Sequence, residues 1–169
     1  MLRLKGTRGF TLVELMITLA LLAIVATIAV PNFVQFIRNN QVQAKADELK
    51  TFLQYARGQA VMTRKTYEVD TTTAAWEVSE ILSVGPPADK DLKRKLEFNT
   101  AQAQPRTSPE DLTLTFLPNG VASSAATITV CRDTDFANGY LLSISRSGII
   151  KMYARGYKDD TTKLTSCTP

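Results

Sequence analysis

The run Phe10-Thr-Leu-Val-Glu14-Leu-Met-Ile-Thr-Leu-Ala-Leu-Leu-Ala-Ile-Val-Ala-Thr-Ile-Ala-Val30 decides how the rest of this 169-residue chain is read. It holds 21 residues, and Glu14 is their one charge. At ~1.5 Å rise per residue, a helix over it spans roughly 31 Å, close to the hydrocarbon thickness of a bilayer. Arg3, Lys5 and Arg8 stand before it, and the next basic residue after it is Arg38. That asymmetry predicts a short cytoplasmic N-terminus and a large C-terminal part on the far side of the membrane. Glu14 sets the span apart from a plain anchor. A carboxylate costs about 2.5–3.5 kcal/mol at the centre of a membrane helix, less near an end, and reads as functional.

The surrounding run, Arg8-Gly9-Phe10-Thr11-Leu12-Val13-Glu14-Leu15, closely resembles the processing signature of type IV pilins and type II secretion pseudopilins. The resemblance implies that a prepilin peptidase cuts between Gly9 and Phe10 and N-methylates Phe10. Such a cut creates a cationic amine in an apolar zone, and Glu14 is the obvious counter-charge. If Glu14 of one subunit meets the Phe10 amine of a neighbour, the pair fixes axial register between stacked helices. Two plainer readings compete. An uncleaved signal anchor accounts for the length and flanks but not for Gly9 or Glu14. A secretory signal peptide cut near Ala29 needs an apolar region longer than the usual ~7–15 residues, with a carboxylate inside it.

Length allows one membrane segment and one modest globular domain. The +4 formal charge owes much to the leader: taking away three of the 20 basic residues leaves 17 against 16 acidic ones, or +1. The body is therefore a poor nucleic-acid binder on charge alone. Cys131 and Cys167 are the two cysteines and lie in the part expected to cross the membrane, where oxidation is permitted. They allow one intramolecular disulfide, worth roughly 4 kcal/mol in the chain-entropy model, which would chiefly tie down the tail. Two buried free thiols are the alternative.

Four segments follow: a leader over 1–9, a transmembrane and filament-core helix over 10–30, an amphipathic continuation over 31–63, and a β-rich periplasmic head over 64–169. Pro31 predicts a kink or local unwinding, not an end. Val42, Ala46, Leu49, Leu53, Ala56 and Ala60 recur at alternating spacings of four and three, a stripe that docks the head on the helix. From Thr66 the pattern turns to alternation. Thr66–Asp70 and Ala75–Leu82 read as a hairpin, Gly85-Pro86-Pro87 as a break, and Leu92–Phe98 as a strand with helix still open. Ala101–Pro109 reads as a loop. Leu112–Leu117, Ala126–Val130, Tyr140–Ser145 and Ile149–Ala154 read as strands, with turns at Pro118-Asn119-Gly120 and Ser147-Gly148. The fold class is α+β, a long helix packed on an antiparallel β head.

Phe116–Gly120, Ile128–Cys131 and Gly139–Ile150, with Leu53–Ala60 at the helix end, look like the GspH/FimT group, in its FimU-like form, of minor pilins and pseudopilins. The resemblance implies a minor pilin that initiates or tips a filament, or else a minor pseudopilin of type II secretion. It implies as partners other minor pilins, the major pilin, the prepilin peptidase and methyltransferase, and an inner-membrane assembly platform. Localisation would be the inner membrane, with a periplasmic head, and then the filament. Some members of the group take part in DNA uptake, and the candidate surface here is Arg146, Lys151, Arg155 and Lys158. Asp159 and Asp160 follow at once and weaken its field.

Enzyme chemistry is poorly served. Without histidine the chain has no Ser-His or Cys-His pair and no zinc site of the common kind. Asp133-Thr-Asp135-Phe-Ala-Asn138-Gly139 is superficially similar to a calcium loop, but Asn138 is one place out of register and the late glutamate is missing. It reads as a solvated turn between strands. The Lys93-Arg94-Lys95 cluster reads as a solvated face. No cofactor is called for.

Overall fold

A computed structural model describes residues 9–72, 75–83, 85, 88–99 and 101–169. Of the expected leader only Gly9 falls within it, and Pro86 and Pro87 of the expected break lie outside it. The chain divides into two units, one ending at Arg38 and the other comprising Asn39–Pro169. Helix α1, Leu12–Thr63, belongs to both. Within the first unit it stays helical across Pro31, so the expected unwinding does not occur. Proline removes one main-chain donor, the one that would reach the Thr27 carbonyl, and the helix continues past that single lost bond.

The second unit is built on the stripe. Val42, Ala46, Leu49, Leu53, Ala56 and Ala60 are all buried, joined by Phe52, which the stripe omits. Eight strands follow: β1 Tyr67–Asp70, β2 Ala75–Ile81, β3 Lys90–Glu97, β4 Gln104–Ser108, β5 Thr113–Phe116, β6 Ala126–Arg132, β7 Asp135–Ile144 and β8 Ile150–Met152. They form two antiparallel four-stranded sheets, ordered β3-β2-β1-β5 and β4-β6-β7-β8. The chain visits the second sheet with β4, returns to the first with β5, and goes back with β6. One core joins the helix stripe to the inner faces of both sheets, through Val69, Val78, Leu114 and Phe116 of the first and Ile128, Val130, Leu142 and Ile144 of the second. The α+β fold with a helix packed on antiparallel strands is thus as expected, with the head divided between two sheets.

Two segments differ from expectation. Residues 104–108 form a strand, not a loop. β4 is an edge strand pairing with β6 alone, Pro105 opposite Val130, and an edge tolerates a residue with no donor. The second is Asp133–Gly139. The turn is confined to Asp133 and Thr134, with Asp133 at φ 51°, and Asp135–Gly139 already belong to β7 beside a bulge at Val130/Arg132. Residues 90–97 are strand, which settles the ambiguity left by their charges. Those charges are engaged. Lys93 pairs with Glu80 and Asp91, Arg94 lies 5.2 Å from the Tyr55 ring centroid, and buried Glu80 also pairs with Lys65.

The last turns of α1 meet two head turns. Arg57 Nε donates to the Gly120 carbonyl at 3.0 Å, closing the Pro118–Gly120 turn onto the helix. Gly148, at φ +77°, lies so close that a Cβ there would sit 1.9 Å from the same Gly120 oxygen. Gly58, by contrast, is a helical glycine whose Cβ would meet nothing. Glycine in a helix interior costs roughly 0.5–1 kcal/mol relative to alanine, and nothing packed within the head requires it.

Candidate functional site

Thr11 precedes α1 and satisfies its start. The first backbone N–H groups of a helix have no carbonyl one turn back. Glu14 N–H donates to Thr11 Oγ1 at 3.2 Å, while the Thr11 N–H and hydroxyl donate to Glu14 Oε2 at 3.0 and 2.9 Å. The Leu15 N–H then donates to the Thr11 carbonyl at 3.2 Å. This is a reciprocal capping box. The sequence reading gives Glu14 only an intermolecular partner and overlooks Thr11, although Thr-x-x-Glu is the spacing that signals such a cap. Both cap bonds fall on Oε2.

Around the cap the chain is bare. Phe10 is 78% exposed, Gly9 is exposed, and a Cβ at Gly9 would meet nothing within 4 Å. The apolar side chains from Leu12 to Ile28 are almost all exposed as well. A window of this helix has a mean hydropathy of 2.5 with none of it buried, so it is long and apolar enough to cross a membrane. Exposed apolar surface on this scale needs lipid or protein to cover it.

At the other end, a disulfide joins Cys131 on β6 to Cys167 in the tail, their Cα atoms 6.0 Å apart. Gly139 makes room for it: a Cβ there would sit 2.6 Å from the Cys131 sulfur. Thr129, also on β6, donates its hydroxyl to the Cys167 carbonyl in a buried hydrogen bond. The tail is held further by Leu164 N–H to the Gly156 carbonyl at 2.8 Å. It closes over the face of β6 opposite Ile128 and Val130, since alternate strand residues point to opposite faces.

The four basic residues do not act as one free patch. Lys151 Nζ donates to both carboxylate oxygens of Asp160 at 2.8 Å, which raises its pKa, and it lies 4.6 Å from the Tyr153 ring centroid. Arg155 donates to the Tyr140 hydroxyl at 3.0 Å and to Gln43 Oε1 on α1 at 3.1 Å. Arg146 and Lys158 are exposed. Asp159 accepts from the backbone N–H groups of Thr161 and Thr162, which hold its carboxyl well below the usual range. It therefore stays anionic beside Lys158.

Comparison with known proteins agrees with this layout. A family model for a prokaryotic N-terminal methylation motif matches residues 4–30, which contain Gly9, Phe10 and Glu14. The chain is 52% identical over 46 residues to the type IV major pilin protein PilA of Myxococcus xanthus, a match spanning 27% of this chain and only 19% of that protein. The crystal structure of the type IV minor pilin FimU of Pseudomonas aeruginosa is similar over 78% of this chain and 98% of FimU, with TM-score 0.62 and 26% identity. The minor pseudopilin EpsH of the Vibrio cholerae type 2 secretion system shares the fold, with TM-score 0.52 and 12% identity over 68% of this chain and 97% of EpsH. A family model described as type II transport protein GspH matches residues 45–148, from the buried helix stripe through the Gly148 turn, and at more than half its length the chain belongs to that family of pilin-like proteins.

Proposed function

We propose that the chain is a minor pilin of a type IV pilus, cut between Gly9 and Phe10, methylated on Phe10, and built into the filament by its apolar helix at or near the initiating tip. The observation that carries this reading is an exposed apolar helix whose first turn holds a capped carboxylate four residues after an open Gly9–Phe10 peptide. The cap occupies only Oε2, so Oε1 is left to accept from a neighbouring subunit's Phe10 amine. Pairing these charges where water is excluded offsets a penalty of several kcal/mol per ion. Before assembly the membrane covers residues 10–30, and the head over 64–169 faces the periplasm. Partners on this reading are other minor pilins, the major pilin, the prepilin peptidase and the assembly platform.

The second reading is a minor pseudopilin of a type II secretion system. It keeps the same N-terminal chemistry and is supported by the EpsH-like fold. A gene deletion separates the two: loss of surface pili with normal protein secretion supports the pilus, and loss of secretion with normal piliation supports the pseudopilus. Retention of both would remove either role. DNA binding gains little support, since Asp160 neutralises Lys151 and Arg155 is committed to Tyr140 and Gln43.

A further inference from the structure

The head carries an open groove along the last turns of α1, lined by Gln54, Arg57, Gly58, Val61 and Met62, with a volume of about 370 Å³. Met62 is 79% exposed, and Val61 is nearly half exposed. Around it lie the two turns that dock on the helix end. A Cβ at Gly120 would sit 2.9 Å from Val61, and Leu117 and Ile149 flank those turns with their apolar side chains exposed. Gly58 forms part of the groove floor. It weakens the helix without relieving any contact inside the head, but a missing side chain lets another backbone approach closely. Gln54, Gly58 and Met62 repeat every four residues, the spacing of a ridge that packs against a second helix.

The charge around the groove has one sign. From Leu49 to Tyr67 the chain has no Asp or Glu, and neither the 117–122 nor the 145–149 segment has one. Arg57, Arg64 and Arg146 stand in these segments, the last two exposed. No carboxylate pairs with any of the three among the described residues.

We propose that this groove is the docking surface for a neighbouring pilin-type subunit that presents an apolar helix edged by carboxylates. The inference rests on the reading of the chain as a filament subunit and adds a head-to-subunit contact to the one made by the N-terminal helix. Apolar side chains enter between Val61, Met62 and Leu117, the partner backbone comes close over Gly58, and its carboxylates meet Arg64 and Arg146.

The test places a photo-crosslinking side chain at Met62, and in a second strain at exposed Leu82, in the full-length protein within cells that assemble the filament. A crosslink from Met62 but not from Leu82 to a peptide of another pilin-type subunit supports the proposal. No crosslink, equal crosslinking at both positions, or a link to DNA overturns it. Filling the groove with Gly58→Leu should lower recovery in sheared filaments about tenfold, with the mature N-terminus unchanged and the melting temperature of the head no lower than that of wild type. Arg146→Glu, at an exposed turn, should do the same, whereas Lys163→Glu should not. If both groove variants enter filaments at the wild-type level, the docking surface is refuted while the filament reading stands. If wild-type protein is itself absent from filaments, both fall.

Discussion

Thr11 and Glu14 hold each other at the start of α1, the Thr11 N–H and hydroxyl both donating to Glu14 Oε2, at 3.0 and 2.9 Å. The carboxylate therefore has work within its own chain. Capping and charge pairing are separable by substitution. Glu14→Gln keeps an oxygen that accepts the same two bonds but removes the charge, whereas Thr11→Ala keeps the charge and the main-chain bond and removes the two bonds of the hydroxyl.

Glu14→Gln and Glu14→Ala should both insert and be cut at Gly9, because losing a carboxylate only makes the span more apolar. Both should be recovered in sheared filaments at about a tenth of the wild-type amount or less, since the buried amine loses its partner. Thr11→Ala should cost roughly 0.5–2 kcal/mol of helix-start stability and leave recovery closer to wild type. Quantitative immunoblots of membrane and sheared fractions check all three. Normal recovery of Glu14→Gln would mean that only the cap matters.

Burial separates two phenylalanines of the same helix. Phe52 is fully buried, whereas Phe36 is 61% exposed. Phe52→Ala should destabilise the head by about 3–5 kcal/mol, and Phe36→Ala should leave the head's denaturant midpoint unchanged. Equal effects would contradict the packing described here.

The Cys131–Cys167 bridge closes a loop of sequence separation 36, so Cys131→Ser with Cys167→Ser should cost the head on the order of 2–4 kcal/mol. Limited proteolysis should then remove the tail first. Cutting at Gly9 should be unaffected. Alkylation of both cysteines in the oxidised wild-type protein without reductant would contradict the bridge.

Acid should loosen the edge of the first sheet. The hydrogen bond from Lys65 and the neighbouring Lys93 hold the Glu80 carboxyl below its ordinary value of 4.5. A carboxylate lowered on folding adds stability that is present above its unfolded value and lost as pH falls through the folded one. The melting temperature should hold from neutral pH to about 5 and then fall more steeply in wild type than in Glu80→Gln. Parallel curves would show that Glu80 is not a source of the acid sensitivity.

These elements also show what the sequence makes legible. The helix and its stripe are readable because one face repeats with the helical period, and the Gly9–Glu14 run because a lone carboxylate in an apolar span has few explanations. Phe52 escapes a stripe drawn at spacings of four and three because a helix facing two sheets buries a wider face. β4 escapes because Gln-Pro-Arg-Thr-Ser has no strand pattern of its own and is a strand only through its pairing with β6. The division into two sheets depends on β4 and β5 exchanging sides, a tertiary choice that no local pattern encodes. Glu80 falls in phase with buried Trp76 and Val78 on β2, a place where a charge is unexpected, and the lysines that pair with it, Lys65 and Lys93, arrive from elsewhere in the chain.

The central claim is that the chain is cut after Gly9 and carried into a filament by the helix that begins there. Intact mass and N-terminal peptide sequencing of the protein in sheared filaments test it most directly. The account predicts a chain that has lost residues 1–9, begins at Phe10 and carries one N-methyl group. A filament-free protein that keeps Met1, or one beginning near Val30, would contradict it.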